Sequence, residues 1–194
     1  MEQLNGAGST TSVHKTTLDE SNNAITRAAK AFKKGEQIFE NYGQPNHIYF
    51  MYHGFTLGEN NTHDCAYWGE IGINSNDKGA QNMMETKSRL SKSGFSSLNP
   101  SFCIKGASSL DRVAQFIRIK YGLDSQHDEM GLSSDVIPYV KEHLTKRLRR
   151  YKETKRTIDD IANVPKQVRI MVDIVQREMK YFEEALDAVT SFDQ

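Results

Sequence analysis

Lys34-Gly35-Glu36-Gln37-Ile38-Phe39-Glu40-Asn41-Tyr42-Gly43, followed by Asn46 and then Tyr52-His53-Gly54-Phe55, is the stretch from which the rest of the chain is read. Lys34-Gly35 is a turn signal. The alternation Gln37-Ile38-Phe39-Glu40, bounded by glycines, predicts a short strand that delivers Tyr42 at its end. A second apolar run, Ile48 to Met51, leads to Gly54, flanked by His53 and Phe55. Glycines beside Tyr42 and Phe55 would let backbone approach a flat group.

Working outward, Met1 to Asn23 is polar and rich in small residues, which predicts little burial and a disordered or loosely draped segment. Ala24 to Phe32 is ambiguous on periodicity: its alanines favour helix by propensity. Asn46 to Met51 reads as a short helix and Leu57 to Thr62 as a loop. Cys65 to Ile73 is β-like in composition. Residues 74–107 are poor in large apolar side chains and read as a linker with one weak helix around Asn82 to Leu90. From Ser108 the texture turns helical. Leu110, Val113, Phe116 and Ile117 share a face of a segment ending at Gly122. Ser134 or Asp135 is placed to cap a helix carrying Val136, Tyr139, Val140, Leu144, Leu148 and Tyr151 on one side. Thr157-Ile158-Asp159-Asp160 resembles a capping sequence. A last helix is expected near Pro165, with Val168, Met171, Val175, Met179, Phe182, Leu186 and Val189 as its packing stripe.

The order F-x-K-G-E-Q-I-F-x-N-Y-G-x-x-N, then Y-H-G-F, then N-N-T-H-D, all within Ala31 to Asp64, resembles the C-terminal end of a SET domain of the rubisco large-subunit methyltransferase-like branch. The resemblance favours a strand for Ala24 to Phe32. Arg150-Tyr151-Lys152-Glu153-Thr154 and Arg169 with Arg177-Glu178 resemble the helical substrate-binding domain appended to such enzymes. The implied class is α+β: an incomplete SET-domain β segment (24–73), a linker (74–107) and an all-α helical bundle (108–194). The family's Asn-His motif and glycine-containing strand pair do not occur among the 41 residues before Tyr42, so the chain is expected to be the C-terminal part of such an enzyme.

The implied activity is S-adenosylmethionine-dependent N-methylation of a protein lysine, or a histidine. Tyr42 takes the catalytic position, where a hydroxyl orients the incoming amine; the plainer reading is a tyrosine capping a strand. Tyr42, His53, Gly54 and Phe55 fall where the cofactor binds, an aromatic face beside glycine suiting adenine. Phe55 is equally readable as a core residue under a turn. Asn60, Asn61, His63 and Asp64 are read as turn-holding residues rather than catalytic ones. The alternative function is a non-catalytic helical module that binds a protein.

Composition sets outer bounds. The 194 residues carry 25 basic and 25 acidic side chains, which gives no field for nucleic acid or a membrane surface as a partner. A protein substrate is the expected partner. No apolar run approaches the length needed to span a bilayer. Six histidines without ligand spacing and two cysteines argue against a metal. Cys65 and Cys103 are expected to be ordinary thiols, and residence to be cytoplasmic or nuclear.

Overall fold

Ala66-Tyr67-Trp68 and Phe102-Cys103-Ile104 each alternate inward and outward, and they pair antiparallel as β3 (Ala66–Trp68) and β4 (Phe102–Ile104). Trp68 lies opposite Phe102 and Ala66 opposite Ile104, all four buried, while Tyr67 and Cys103 face outward together. In a computed structural model this small ribbon sits in the larger of two units, 65–194; the other is 1–64. The structure describes residues 15–27, 31–36, 42–69, 71–124, 131–159 and 165–192.

In the first unit, β1 (Lys15–Leu18) pairs antiparallel with β2 (Ala24–Arg27). Asp19 makes the turn between them: its Oδ1 accepts from the backbone N–H groups of Ser21 and Asn23 at 2.9 and 2.8 Å. Asn22 takes the left-handed conformation that Asn tolerates. Lys15–Leu18, expected to lack structure, is therefore a strand, because the side chain of the very next residue, Asp19, builds the hairpin. Of the strand expected over Ala24 to Phe32, Ala24–Arg27 is strand, whereas Ala31 and Phe32 are in no strand. The strand expected over Gln37 to Glu40 lies outside the described residues. Helix α1 spans Asn46–His53 and closes on Gly54, whose φ of +73° lets its N–H bond back to Phe50 O at 3.0 Å.

Among the described residues of 108–194 the long elements are helices, as expected, but the unit they belong to, 65–194, also has the β3–β4 ribbon in its core. The stretch 74–107 is not a linker. It contains α2 (Lys78–Gln81), α3 (Met83–Lys92) and β4, and Leu90, Phe95, Phe102 and Ile104 join the core. The few apolar residues of this stretch were enough, because small ones let elements approach closely. A Cβ on Gly79 would lie 2.4 Å from the Ile119 carbonyl oxygen, so α2 packs directly on the backbone of α4 (Leu110–Tyr121). Asn82 caps α3 by accepting from Glu85 N at 3.2 Å, and its Nδ2 donates to Glu85 Oε2 at 3.0 Å.

Helix α4 is the centre of the unit, with Leu110, Val113, Ala114, Phe116, Ile117 and Ile119 fully buried. Phe95, Phe102 and Phe116 pack around one another with ring centroids 5.4–6.2 Å apart. Helices α5 (Ile137–Asp159) and α6 (Lys166–Ser191) pack side by side and complete the core through Val140, Leu144, Leu148, Phe182, Ala185 and Val189. Thr157-Ile158-Asp159-Asp160 does not begin a helix, since α5 runs to Asp159; the same residues can be tolerated in a last turn. On α6 the buried line is Ile174, Phe182, Ala185 and Val189, and Met171 of the expected stripe is 43% exposed. The line turns because α6 presents Glu178, itself buried, to the Tyr151 hydroxyl of α5.

Cys65 and Cys103 are joined in a disulfide, Cα atoms 5.4 Å apart, rather than being separate thiols. Pairing β3 with β4 brings together two residues 38 apart in the chain. Sequence spacing carried no sign of that pairing, and the inference from free thiols to a reducing compartment loses its basis. Among the described residues no helix is long and apolar enough to cross a membrane.

Candidate functional site

Asn46 begins α1, follows Pro45, and is buried, so every polar atom it brings must find a partner. Its N–H donates to Asp64 Oδ1 at 2.9 Å, its Nδ2 donates to Gly58 O at 2.9 Å, and its Oδ1 accepts from Leu57 N at 2.9 Å. Asn61, also buried, donates from Nδ2 to Gln44 O at 2.9 Å and to Asn46 Oδ1 at 3.3 Å, while its own Oδ1 accepts from His63 N at 3.0 Å. One network of two amides and a carboxylate thus fixes the chain before α1 to the loop after it. Asn61 and Asp64 hold turns, as read from the sequence. Asn46 is the residue that joins them.

That frame brings the expected site residues into one aromatic cluster. Tyr49 is 2% exposed and central, with Phe55 at 5.3 Å, His53 at 6.2 Å and Tyr42 at 6.3 Å between ring centroids. Tyr42, 51% exposed, lies nearly parallel to the His53 ring, 5.4 Å away and tilted by 8°. His53 is 5.9 Å from Phe55. No gap therefore separates Tyr42 from the His53-Gly54-Phe55 corner, because the imidazole fills it. Gly54 lies at the edge of the cluster, where a Cβ would meet nothing within 4 Å. Tyr49 was missed in the sequence reading. Its signal was available, since it stands one helical turn before His53 on the same side of α1.

Half-exposed aromatic faces beside an open, left-handed glycine suit a planar base. The face of Tyr42 is covered by His53, so a cofactor reaching the Tyr42 hydroxyl requires the imidazole to rotate away. His53 is exposed in the last turn of α1, and such a rotation gives up its ring contacts with Tyr42, Tyr49 and Phe55.

The second unit holds the ionisable groups that are most strongly perturbed. Arg118 is fully buried and donates to Gly131 O at 2.9 Å, to both Asp135 carboxylate oxygens at 3.2 and 3.3 Å, and to Ser133 Oγ. The hydrogen bonds from Arg118, with that from Ser133, hold the Asp135 carboxyl down at about 2. Lys120 donates to Gly72 O and Asp77 Oδ2, each at 2.6 Å. The Tyr121 hydroxyl and His143 Nε2 are 2.9 Å apart. Each group is satisfied by partners that fix loops to α4, which is a structural use. Among the described residues no three His, Cys, Asp or Glu side chains are grouped to hold a metal ion.

His143 supplies a pH dependence. Burial, and then the Lys120 charge, lower its pKa from the ordinary 6.5. A group whose pKa is depressed by folding adds stability above its unfolded value and loses it as pH falls through the folded one. Urea unfolding of this unit should therefore weaken below about pH 6.5. In His143→Gln that portion of the slope should vanish; an unchanged slope would contradict the assignment.

The chain matches no known protein-family model. No characterised protein matches its sequence.

Proposed function

We propose that the chain works within a SET-type protein N-methyltransferase, using S-adenosylmethionine to methylate a lysine, or a histidine, of a protein substrate. The observation that carries this reading is the aromatic cluster of Tyr42, Tyr49, His53 and Phe55 with Gly54 at its edge, supported by the buried Asn46 and Asn61 amides; Tyr42, His53, Gly54 and Phe55 follow the order of the family's motif. Bound there, the cofactor would supply an electrophilic methyl for the amine nitrogen to attack in line, with the neutral thioether as leaving group and the nitrogen's surplus proton lost to water. The chain's own groups position the reactants. Phe55 and the open side of Gly54 offer a face to the base, and the Tyr42 hydroxyl accepts a hydrogen bond from the neutral amine and orients its lone pair. Removal of water around the amine favours its neutral form.

Titrating radiolabelled S-adenosylmethionine against the full chain tests the reading. Saturable binding is expected, weakened about threefold to tenfold in Phe55→Ala for the loss of one ring contact. Tyr42→Phe should keep that binding and lose transfer to protein. Absence of saturable binding would overturn the proposal.

A second reading is a protein-interaction module, favoured by the closed core of the second unit, which centres on α4 and draws on both strands and the two long helices of 65–194.

A further inference from the structure

The whole chain is electrically balanced, but α5 is not: over Ile137–Asp159 it carries eight basic and three acidic residues. Their placement follows from the helix period. Ile137, Val140, Leu144 and Leu148 face the core, which leaves Lys146, Arg149 and Arg156 on the outward flank, with Lys141 and Lys152 along its edge nearer the core side. From Lys141 to Arg156 that stripe is about 22 Å long at a rise of roughly 1.5 Å per residue. Only Glu142 and Glu153 interrupt it. The ion pairs on it are loose and exposed, Arg149 to Glu153 at 3.9 Å and Lys152 to Glu183 at 3.4 Å, and pairs of this kind exchange partners at little cost. A shallow groove lined by Pro138, Lys141, Glu142, Thr145, Lys146 and Arg149 runs along its first half.

We propose that the outward face of α5 docks an extended, acidic segment of a partner protein. Charge complementarity sets the sign of the partner. Three features favour a polypeptide over a nucleic acid. No aromatic side chain stands on this face to stack a base, since Tyr139 is turned against Tyr121 at 4.3 Å and Tyr151 against Phe182 at 5.4 Å. Glu142 and Glu153 sit within the stripe, where they would repel a continuous run of phosphates but set register for a peptide of spaced carboxylates. The zero net charge of the chain supplies none of the long-range attraction that phosphate binding uses. The inference gives the module reading its partner chemistry, and its failure would leave the cofactor titration untouched, as the reverse would leave this surface.

The test uses the full chain and a fluorescein-labelled peptide of about sixteen alternating Glu and Ser residues, long enough at roughly 3.3 Å per residue to span the stripe. A single-stranded oligothymidine of equal charge is titrated in parallel. Binding of the peptide should weaken steadily with added salt. It should fall at least tenfold in Lys146→Glu/Arg149→Glu/Arg156→Glu and stay unchanged in Lys87→Glu/Lys92→Glu on α3. Should the triple reversal lose helical circular dichroism, the corresponding Gln variant is read instead, with about a threefold loss expected from neutralisation. Tighter binding of the oligothymidine, equal peptide binding by the reversed variant, or no saturable peptide binding would each overturn the proposal.

Discussion

Phe182→Ala is expected to lower the unfolding free energy of the 65–194 unit by about 3–5 kcal/mol. The ring is completely buried, meets Trp68 edge-on at 5.8 Å and Tyr151 at 5.4 Å, and so joins α6 to β3 and to α5 at one point. Truncation removes the transfer energy of the ring and leaves a cavity whose walls are a strand and two long helices, elements that cannot readily collapse into it. Trp68 is the single tryptophan and is 2% exposed, so urea unfolding followed by its fluorescence reads the unit directly. Edge-to-face pairs add about 0.5–1.5 kcal/mol beyond their area. A double-mutant cycle with Trp68→Leu, read by circular dichroism, should show coupling of that size. A loss below about 1 kcal/mol in Phe182→Ala would mean that α6 does not close the core as described.

Removing the Cys65–Cys103 bridge is expected to cost about 3–4 kcal/mol, because it closes a loop of 38 residues in the unfolded chain. For a unit of this size the loss corresponds to a fall in Tm on the order of 10 °C. Cys103→Ser, or the wild-type chain under strong reductant, should show it, and the variant should be indifferent to reductant. Protein isolated under non-reducing conditions should be lighter by two hydrogens than the reduced chain. Two free thiols with an unchanged Tm on reduction would contradict the pairing. The outcome also bears on where the protein resides, since such bridges persist in oxidising surroundings.

What the sequence disclosed followed the strength of its periodic signals. The segment from Leu110 to Gly122 was legible because a three-and-four apolar pattern ends at a glycine in the left-handed conformation, and the structure has α4 there. The shorter α1 was legible for the same reason at Gly54. Within 74–107 the helix expected around Asn82 to Leu90 is α3, but the rest was misread as a linker because its contribution lies in backbone proximity at Gly79 and a few apolar contacts, neither of which has a period. The end of α5 was misread because Thr157 and Asp159 occur at helix ends of either polarity. The disulfide was hidden because a 38-residue separation says nothing of which strands will pair. Within the candidate site, Tyr42, His53, Gly54 and Phe55 were named from motif order, and the structure brings them together. The buried Asn46 that ties the cluster's supporting loop was read only as part of the motif, since burial of an amide follows from tertiary packing. The stacking of His53 over Tyr42 was likewise invisible, because ring orientation depends on the loop that Asn61 and Asp64 fix.

The proposed activity stands or falls on whether the aromatic cluster receives the cofactor. Ultraviolet cross-linking of radiolabelled S-adenosylmethionine to the full chain, followed by peptide mapping, addresses this directly. The expected result is label on the peptide containing Tyr42 to Phe55, competed by unlabelled cofactor and reduced in Phe55→Ala. Label confined to residues 65–194, or label that unlabelled cofactor does not displace, would contradict it.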